Sequence, residues 1–320
     1  MNNIAIIWFG PFGQALTKIL LQASEETYIF AIDIHRAQVS DAINLEFVEY
    51  ADRITALSKT YNEVTYQQAI ADADLVIIAV WSTYMLPVMQ EVLPLMRSDA
   101  CVMNVNKWLS PHGLSFVQEF EKLETDVIYA TLAGGMAAYD VMDGTPTRAT
   151  IGVSDPQMIP KLQKIFQSEL FGSQIVDDVR GVEYAWVLKN IISIQAGKLQ
   201  WEQELSVVQD QIDELVARCT HQIQDQAAEL GIDPTTYDQT YCRDHPVYGD
   251  IRTSCYGETR NMRLGREWAK LWDLHQAIQR FEDQGITVEW VNTLRTIQDI
   301  PDHPLLRLAF VQELMELVED

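Results

Sequence analysis

The chain has 320 residues, 48% of them hydrophobic and 22% charged, with a formal net charge of -23. That length supports one large domain or two ordinary ones with real cores. The charge disfavours nucleic acid and anionic membrane surfaces as partners, and it requires any anionic ligand to find a local basic pocket.

Cys101, Cys219, Cys242 and Cys255 form no CxxC pair and no zinc-type cluster with the six histidines. The expectation is reduced thiols in a cytoplasmic protein, with no metal. The opening MNNIAIIWFG carries no charged n-region and no small-residue cleavage site, so it is read as a strand and not as a signal peptide. No run approaches the ~20 apolar residues that would insert in a bilayer.

Ile4 to Phe9 is a short apolar run of the buried parallel-strand type. Gly10-Pro11-Phe12-Gly13 follows, then Gln14 to Leu21 with helical character, then a second apolar run, Tyr28 to Ile34, that carries Asp33 near its end. Strand, glycine turn, helix, strand and an acid after about 20 residues is the dinucleotide-binding arrangement. The pyrophosphate is expected on the helix N-terminus, with the acid accepting from the adenosine ribose. Asp33 should repel the extra phosphate of NADP and so favours NAD, although His35 and Arg36 lie just beyond it. Set against GxGxxG, the stretch from Trp8 to Gly13 keeps the second and third glycines and puts Trp8 where the first belongs.

Ala73–Val80 is a third buried strand, leading into Trp81 and Ser82; Cys101–Asn106 is a fourth, ending at Lys107. Val127–Leu132 is a fifth, before the small-residue turn Ala133-Gly134-Gly135, and Thr147–Val153 reads as an edge strand. Strands separated by helical stretches predict a Rossmann-like, doubly wound parallel sheet with ligands at the carboxyl ends of its strands. Asp33, Ser82, Lys107 and Gly134 all fall at such ends.

From Val179 the apolar residues fall on almost every side of a helical wheel through Ala196, which predicts a buried helix. Lys189 lies within it, on one stripe with Val182, Trp186 and Ser193, and Asn190 adjoins that stripe. A lysine there either snorkels to the surface or faces a cleft as a proton-transfer group. Leu199 to Leu230 is one long amphipathic pattern stopped by Gly231-Ile232-Asp233-Pro234, and further helical segments run to the end. The expected organisation is therefore a dinucleotide-binding domain over 1–178 and an all-α domain over 179–320. Thr259 is a plausible N-cap that places Arg260 and Asn261 in a first helical turn. An arginine there opposes the helix dipole, and an anion bound at the N-terminus supplies a reason for it.

These residues resemble a family. Gly10–Leu16, Asn106-Lys107, Gly181-Val182-Glu183 with Leu188-Lys189-Asn190, Gly249-Asp250 with Thr253-Ser254-Cys255, and Arg260-Asn261 match in order the soluble NAD(P)-dependent glycerol-3-phosphate dehydrogenases. Val288-Glu289 with Asn292-Thr293 resembles a weaker sixth block. The resemblance implies Lys189 as acid/base at the C2 oxygen, Asp250 beside it to tune and hold the ammonium, and Lys107 orienting the substrate carbonyl. It implies that Arg260 and Asn261 hold a substrate phosphate, with Ser254 and Asn190 at the same site. Gly10, Phe12, Gly13, Asp33, Ser82, Ala138 and Glu289 would contact the cofactor. Hydride would pass between nicotinamide and C2 of dihydroxyacetone phosphate, in glycerophospholipid metabolism, and the enzyme would be a homodimer.

The chain departs from that pattern in several places. Trp8 replaces a glycine, and Trp81 replaces a proline common after the third strand. Ala133-Gly134-Gly135-Met136 stands where Ser-Gly-Pro, a small hydroxyl residue and Phe are usual. Lys198 to Gln203 takes the place of a glycine-rich loop. Two alternatives stay open beside the dehydrogenase: a related NAD-dependent reductase of another small phosphorylated ketone or 2-oxo compound, and a non-catalytic dinucleotide-binding protein.

Overall fold

The computed structural model describes residues 2–58, 63–201, 203–238, 246–286 and 289–319; of 63–65, 246, 289, 290, 292 and 316–319 only the backbone is described. Two compact units result, one of Met1–Ser110 with Phe116–Val179, the other of Pro111–Ser115 with Arg180–Asp320.

The first unit runs β1 (Asn2–Ile7), α1 (Pro11–Ala23), β2 (Thr27–Ile32), α2 (Arg36–Glu46), β3 (Ile54–Leu57), α3 (Glu63–Ala71), β4 (Leu75–Ile78) and α4 (Ser82–Val92). It continues with β5 (Cys101–Asn104), α5 (Phe116–Glu121), β6 (Ile128–Gly134), α6 (Ala138–Met142), β7 (Thr147–Val153), α7 (Ile159–Phe166) and β8 (Phe171–Val176). The strands form one sheet in the order β3-β2-β1-β4-β5-β6-β7-β8. Both faces are covered, which is why the strands read as continuous apolar runs. Ile4, Ile6, Leu75 and Ile77 belong to one buried cluster, and Ala5, Ile7, Val76 and Ile78 to the other. Successive side chains thus enter opposite cores. Each fully buried Ile or Leu contributes about 1.5–3 kcal/mol. The strand order reverses between β1 and β4, on either side of which the connections run to opposite edges.

Three expectations need correction. Two strands, β3 and β8, were not expected. The strand Thr147–Val153 is interior, because β8 pairs beside it and takes the edge. It also runs antiparallel to β6, so the sheet is mostly and not wholly parallel. Finally, Ala133 and Gly134 continue β6 instead of turning, and Gly134 must lack a side chain because a Cβ would lie 2.5 Å from the Arg148 carbonyl oxygen.

The second unit is helical: α8 (Val179–Leu199), α9 (Leu205–Asp225), α10 (Ala227–Leu230), α11 (Pro246–Ser254), α12 (Arg260–Leu271), α13 (Leu274–Asp283), α14 (Glu289–Gln298) and α15 (Ala309–Glu319). The single pattern expected from Leu199 to Leu230 is divided, since α8 ends at Leu199, α9 runs from Leu205 to Asp225 and α10 from Ala227, and Gly231 closes it in the left-handed conformation at φ 65. Helices α8 and α12 meet backbone to backbone. A Cβ at Gly197 would lie 2.2 Å from the Met262 carbonyl oxygen, and one at Gly265 would lie 2.0 Å from that of Ile194. That closeness seats the first two turns of α12 against the C-terminal turns of α8. Cys101, Cys219 and Cys255 are free and buried, whereas Cys242 lies outside the described residues. No helix among the described residues is long and apolar enough to cross a membrane.

His303 ties Pro111–Ser115 into this unit. Its Nδ1 accepts from the Leu305 N–H at 3.2 Å, so the neutral ring carries its proton on Nε2 and donates to the Gly113 carbonyl at 2.8 Å. Burial pushes its pKa below the usual 6.5, against the opposing effect of the Gly113 bond. The unfolded chain therefore binds this proton at higher pH than the folded one. The contribution is fully present above the unfolded value and is lost as pH falls through the folded one. In denaturant titrations from about pH 7.5 down to about pH 5, His303→Gln, which keeps a donor for Gly113 but does not titrate, should flatten the acid loss of stability. The difference should approach ~1.4 kcal/mol per unit of pKa displacement. Parallel curves for the two proteins would remove His303 from the acid response.

Candidate functional site

In the first unit the residues expected at the cofactor follow the carboxyl ends of β1, β2, β4 and β6. Trp8, the first residue after β1, has φ 75. The position keeps the left-handed conformation that a glycine would supply, at a cost to a bulky L-residue of about 1–2 kcal/mol. Tertiary bonds hold it there. The Trp8 N–H donates to the Ile32 carbonyl at 2.8 Å, and the Phe9 N–H donates to Asp33 Oδ2 at 3.0 Å. Asp33 Oδ1 also accepts from the His35 N–H at 3.0 Å, which fixes the carboxylate beside the turn.

Gly10 caps α1 without a side-chain hydrogen bond, and Pro11 at the first helical position has no N–H to satisfy. Helix geometry leaves the N–H groups of Phe12 and Gly13 without intrahelical acceptors. Gly13 must be bare, since a Cβ would stand 2.6 Å from the Trp8 carbonyl oxygen. Uncapped N–H groups, a glycine face and a fixed carboxylate suit a pyrophosphate and an adenosine ribose. A cavity of about 510 Å³ opens here, lined among others by Ile32, Asp33, Tyr66, Trp81 and Tyr84. Ser82 begins α4 next to Trp81, and Ala138 begins α6 after β6. Lys107 is half-buried in the turn after β5, where the Asn106 N–H donates to Asn104 Oδ1 at 2.8 Å.

In the second unit, every residue of α8 from Gly181 to Gly197 is buried. Lys189 is only 7% exposed, so it does not snorkel to the surface. Its Nζ donates to Asp250 Oδ2 at 2.6 Å and lies 5.2 Å from the centre of the Trp186 ring. A buried ion pair of this kind tolerates removal of one partner poorly, because the remaining charge loses its compensation at ~3–5 kcal/mol. Beside it, Asn190 Nδ2 donates to the Trp186 carbonyl at 3.2 Å, and its Oδ1 accepts from Asn261 Nδ2 at 2.8 Å.

Thr259 is the N-cap of α12 and accepts from the Met262 N–H at 3.2 Å. This leaves Arg260 exposed at the first helical position and Asn261 half-buried behind it. Ser193 has a task the sequence did not reveal. Its Oγ donates to the Ser254 carbonyl at 2.7 Å and lies 3.2 Å from Thr259 Oγ1, so α8 holds both ends of the loop before α12. The Ser254 side chain is half-buried.

The structure thus joins Lys189 and Asp250 directly, and Asn190 and Asn261 directly, with Ser254 and Arg260 brought in through the Ser193 anchor and the Thr259 cap. Chemically this is a buried ammonium paired with a carboxylate, next to a helix N-terminus carrying a guanidinium. Glu289 begins α14, but its side chain and all of Val288 lie outside the described residues. Among the described residues no group of His, Cys, Asp and Glu side chains could hold a metal ion.

Comparison with known proteins matches both units. The model of the NAD-dependent glycerol-3-phosphate dehydrogenase N-terminus covers residues 3–159, and that of the C-terminus covers residues 178–320. The glycerol-3-phosphate dehydrogenase [NAD(P)+] of Bacillus subtilis is 23% identical over 99% of this chain and 90% of its own length. The enzyme of that name from Oleidesulfovibrio alaskensis is 27% identical over 93% of this chain and 91% of its own. The solved Plasmodium falciparum glycerol-3-phosphate dehydrogenase shares the fold, with a TM-score of 0.74 at 18% identity over 99% of this chain and 93% of that one.

Proposed function

The chain belongs to the NAD-dependent glycerol-3-phosphate dehydrogenase family, and we propose that it interconverts dihydroxyacetone phosphate and sn-glycerol 3-phosphate. It is an NAD-dependent oxidoreductase acting on a CH–OH group. The observation that carries the substrate reading is the buried Lys189–Asp250 pair, 2.6 Å apart, on the helix that also anchors the Arg260–Asn261 turn.

Reduction of a ketone builds negative charge on the carbonyl oxygen, and a positioned cation stabilises and then protonates it. Lys189 does this at the C2 oxygen. Its proton passes to that oxygen as the new C–H bond forms, and Asp250 keeps the side chain aimed and compensated. Lys107, a second cation, orients the carbonyl. Arg260, Asn261 and the α12 N–H groups hold the phosphate, with Asn190 fixing the Asn261 amide and Ser254 lining the approach. NAD, when bound, supplies or accepts the hydride. Gly10, Phe12 and Gly13 would hold its pyrophosphate and Asp33 its ribose, and Ser82, Ala138 and Glu289 would complete that site. The reduced thiols fit a cytoplasmic location, and the working unit is a homodimer.

Arg36 Nε donates to the Ala56 carbonyl at 3.2 Å, and Asp33 sets the preference at the ribose. Oxidation of NADH by the purified protein should proceed with dihydroxyacetone phosphate and fail with unphosphorylated dihydroxyacetone. NADPH should serve less well than NADH, since a carboxylate repels the 2′-phosphate. Equal rates on both ketones would put the substrate outside this class. Equal rates with both cofactors would show that His35 and Arg36 outweigh Asp33.

A further inference from the structure

Two of the positions that depart from the family pattern, Trp8 and Trp81, face each other. Trp8 follows β1 and Trp81 follows β4, the two strands between which the sheet order reverses. Their ring centroids are 5.6 Å apart and their planes are inclined at 44°. The indoles therefore span the crevice at the topological switch point, where open parallel sheets take their ligands. Trp8 Cε2 and Cζ2 lie 3.1 Å, and Cη2 3.4 Å, from the place a Cβ on Gly10 would occupy. Gly10 stands at the fingerprint position whose bare face admits the pyrophosphate, so ring and phosphate claim the same face. A glycine at residue 8 would adopt φ 75 freely and would leave that face open. The tryptophan keeps the strained backbone and fills the space.

We propose that the Trp8–Trp81 pair is an indole bridge across the dinucleotide cleft that the cofactor must part on entry, which makes Trp8 a determinant of cofactor affinity. The proposal rests on the dinucleotide reading of this cleft. Opening the bridge costs the ring–ring contact, and the half-buried Trp8 must leave Gly10 for solvent or for another wall of the cavity. Trp81 is 59% exposed and Tyr84 60%, so the rim has room for a displaced indole.

The test is calorimetric titration of the wild-type protein and Trp8→Gly with NADH. Loss of an aromatic pair that binding must break should tighten Kd by about two- to tenfold. A second measurement uses wild-type protein labelled with 5-fluorotryptophan, in which the Trp8 line is the one absent from Trp8→Gly or Trp8→Phe. NADH should shift that line, because the ring leaves the Gly10 face. An equal or weaker Kd for Trp8→Gly, or a Trp8 resonance that NADH does not move, would overturn the bridge and mark Trp8 as filler or as a stacking platform. Failure of both proteins to bind NADH would instead overturn the dinucleotide reading, and the bridge with it.

Discussion

Arg260→Ala is expected to weaken binding of dihydroxyacetone phosphate by roughly 2–4 kcal/mol, about thirty- to several-hundred-fold in KM. The exposed guanidinium opens α12, on a chain whose net charge of -23 would otherwise repel a phosphate. A charge-assisted, two-pronged contact is lost with it, while the α12 N–H groups and Asn261 remain. Thr259 and Ser193 hold the turn without using the Arg260 side chain, so the helix should keep its place. Any residual reduction of a ketone without phosphate should be nearly unchanged. Steady-state kinetics on the two ketones separate these effects. Equal loss on both would make Arg260 structural and would remove the main support for a phosphorylated substrate.

Lys189→Ala should lower turnover by ~10²–10⁴ with NADH affinity close to normal, as removal of a positioned acid does. The substitution also leaves Asp250, 6% exposed, without its cation, so a loss of stability would confound a simple reading. Lys189→Met combined with Asp250→Asn separates the two, because it removes both charges and restores a compensated interior. Its unfolding midpoint should recover toward the wild-type value while turnover stays as low as in Lys189→Ala. Recovery of both together would mean that the pair serves packing and not proton transfer.

How far the sequence could be followed depended on burial. The continuous apolar runs of β1, β4 and β5 mark strands covered on both faces, and the all-round apolar α8 marks a buried helix. A lysine inside such a helix stands out because burying it requires a partner. Asp250 is 61 residues away along the chain, and only the family resemblance pointed to it. What stayed hidden carried no such contrast. In β3 two of four residues are half-exposed, and β8, with Gly172, Ser173 and Gln174, is an edge strand with one fully buried side chain. An edge strand needs no continuous apolar run, so its absence from the pattern also misplaced β7 at the edge. Ser193 was read as framing the lysine, yet its partners lie 61 and 66 residues on, in a loop with no periodicity to align. The Trp8 position was legible in part. The motif marked it as a place for glycine, and φ 75 is the conformation that a glycine would have supplied there.

On the proposed function, Lys189 transfers a proton and does more than fill a helix. Turnover of Lys189→Arg, measured across the pH range with dihydroxyacetone phosphate and NADH, separates the two roles. A guanidinium can keep an ion pair with Asp250, but it stays protonated and cannot cycle as acid and base. Lys189→Arg should be a folded protein that binds NADH and turns over at the level of Lys189→Ala at every pH. An active Lys189→Arg enzyme with the wild-type pH profile would contradict it.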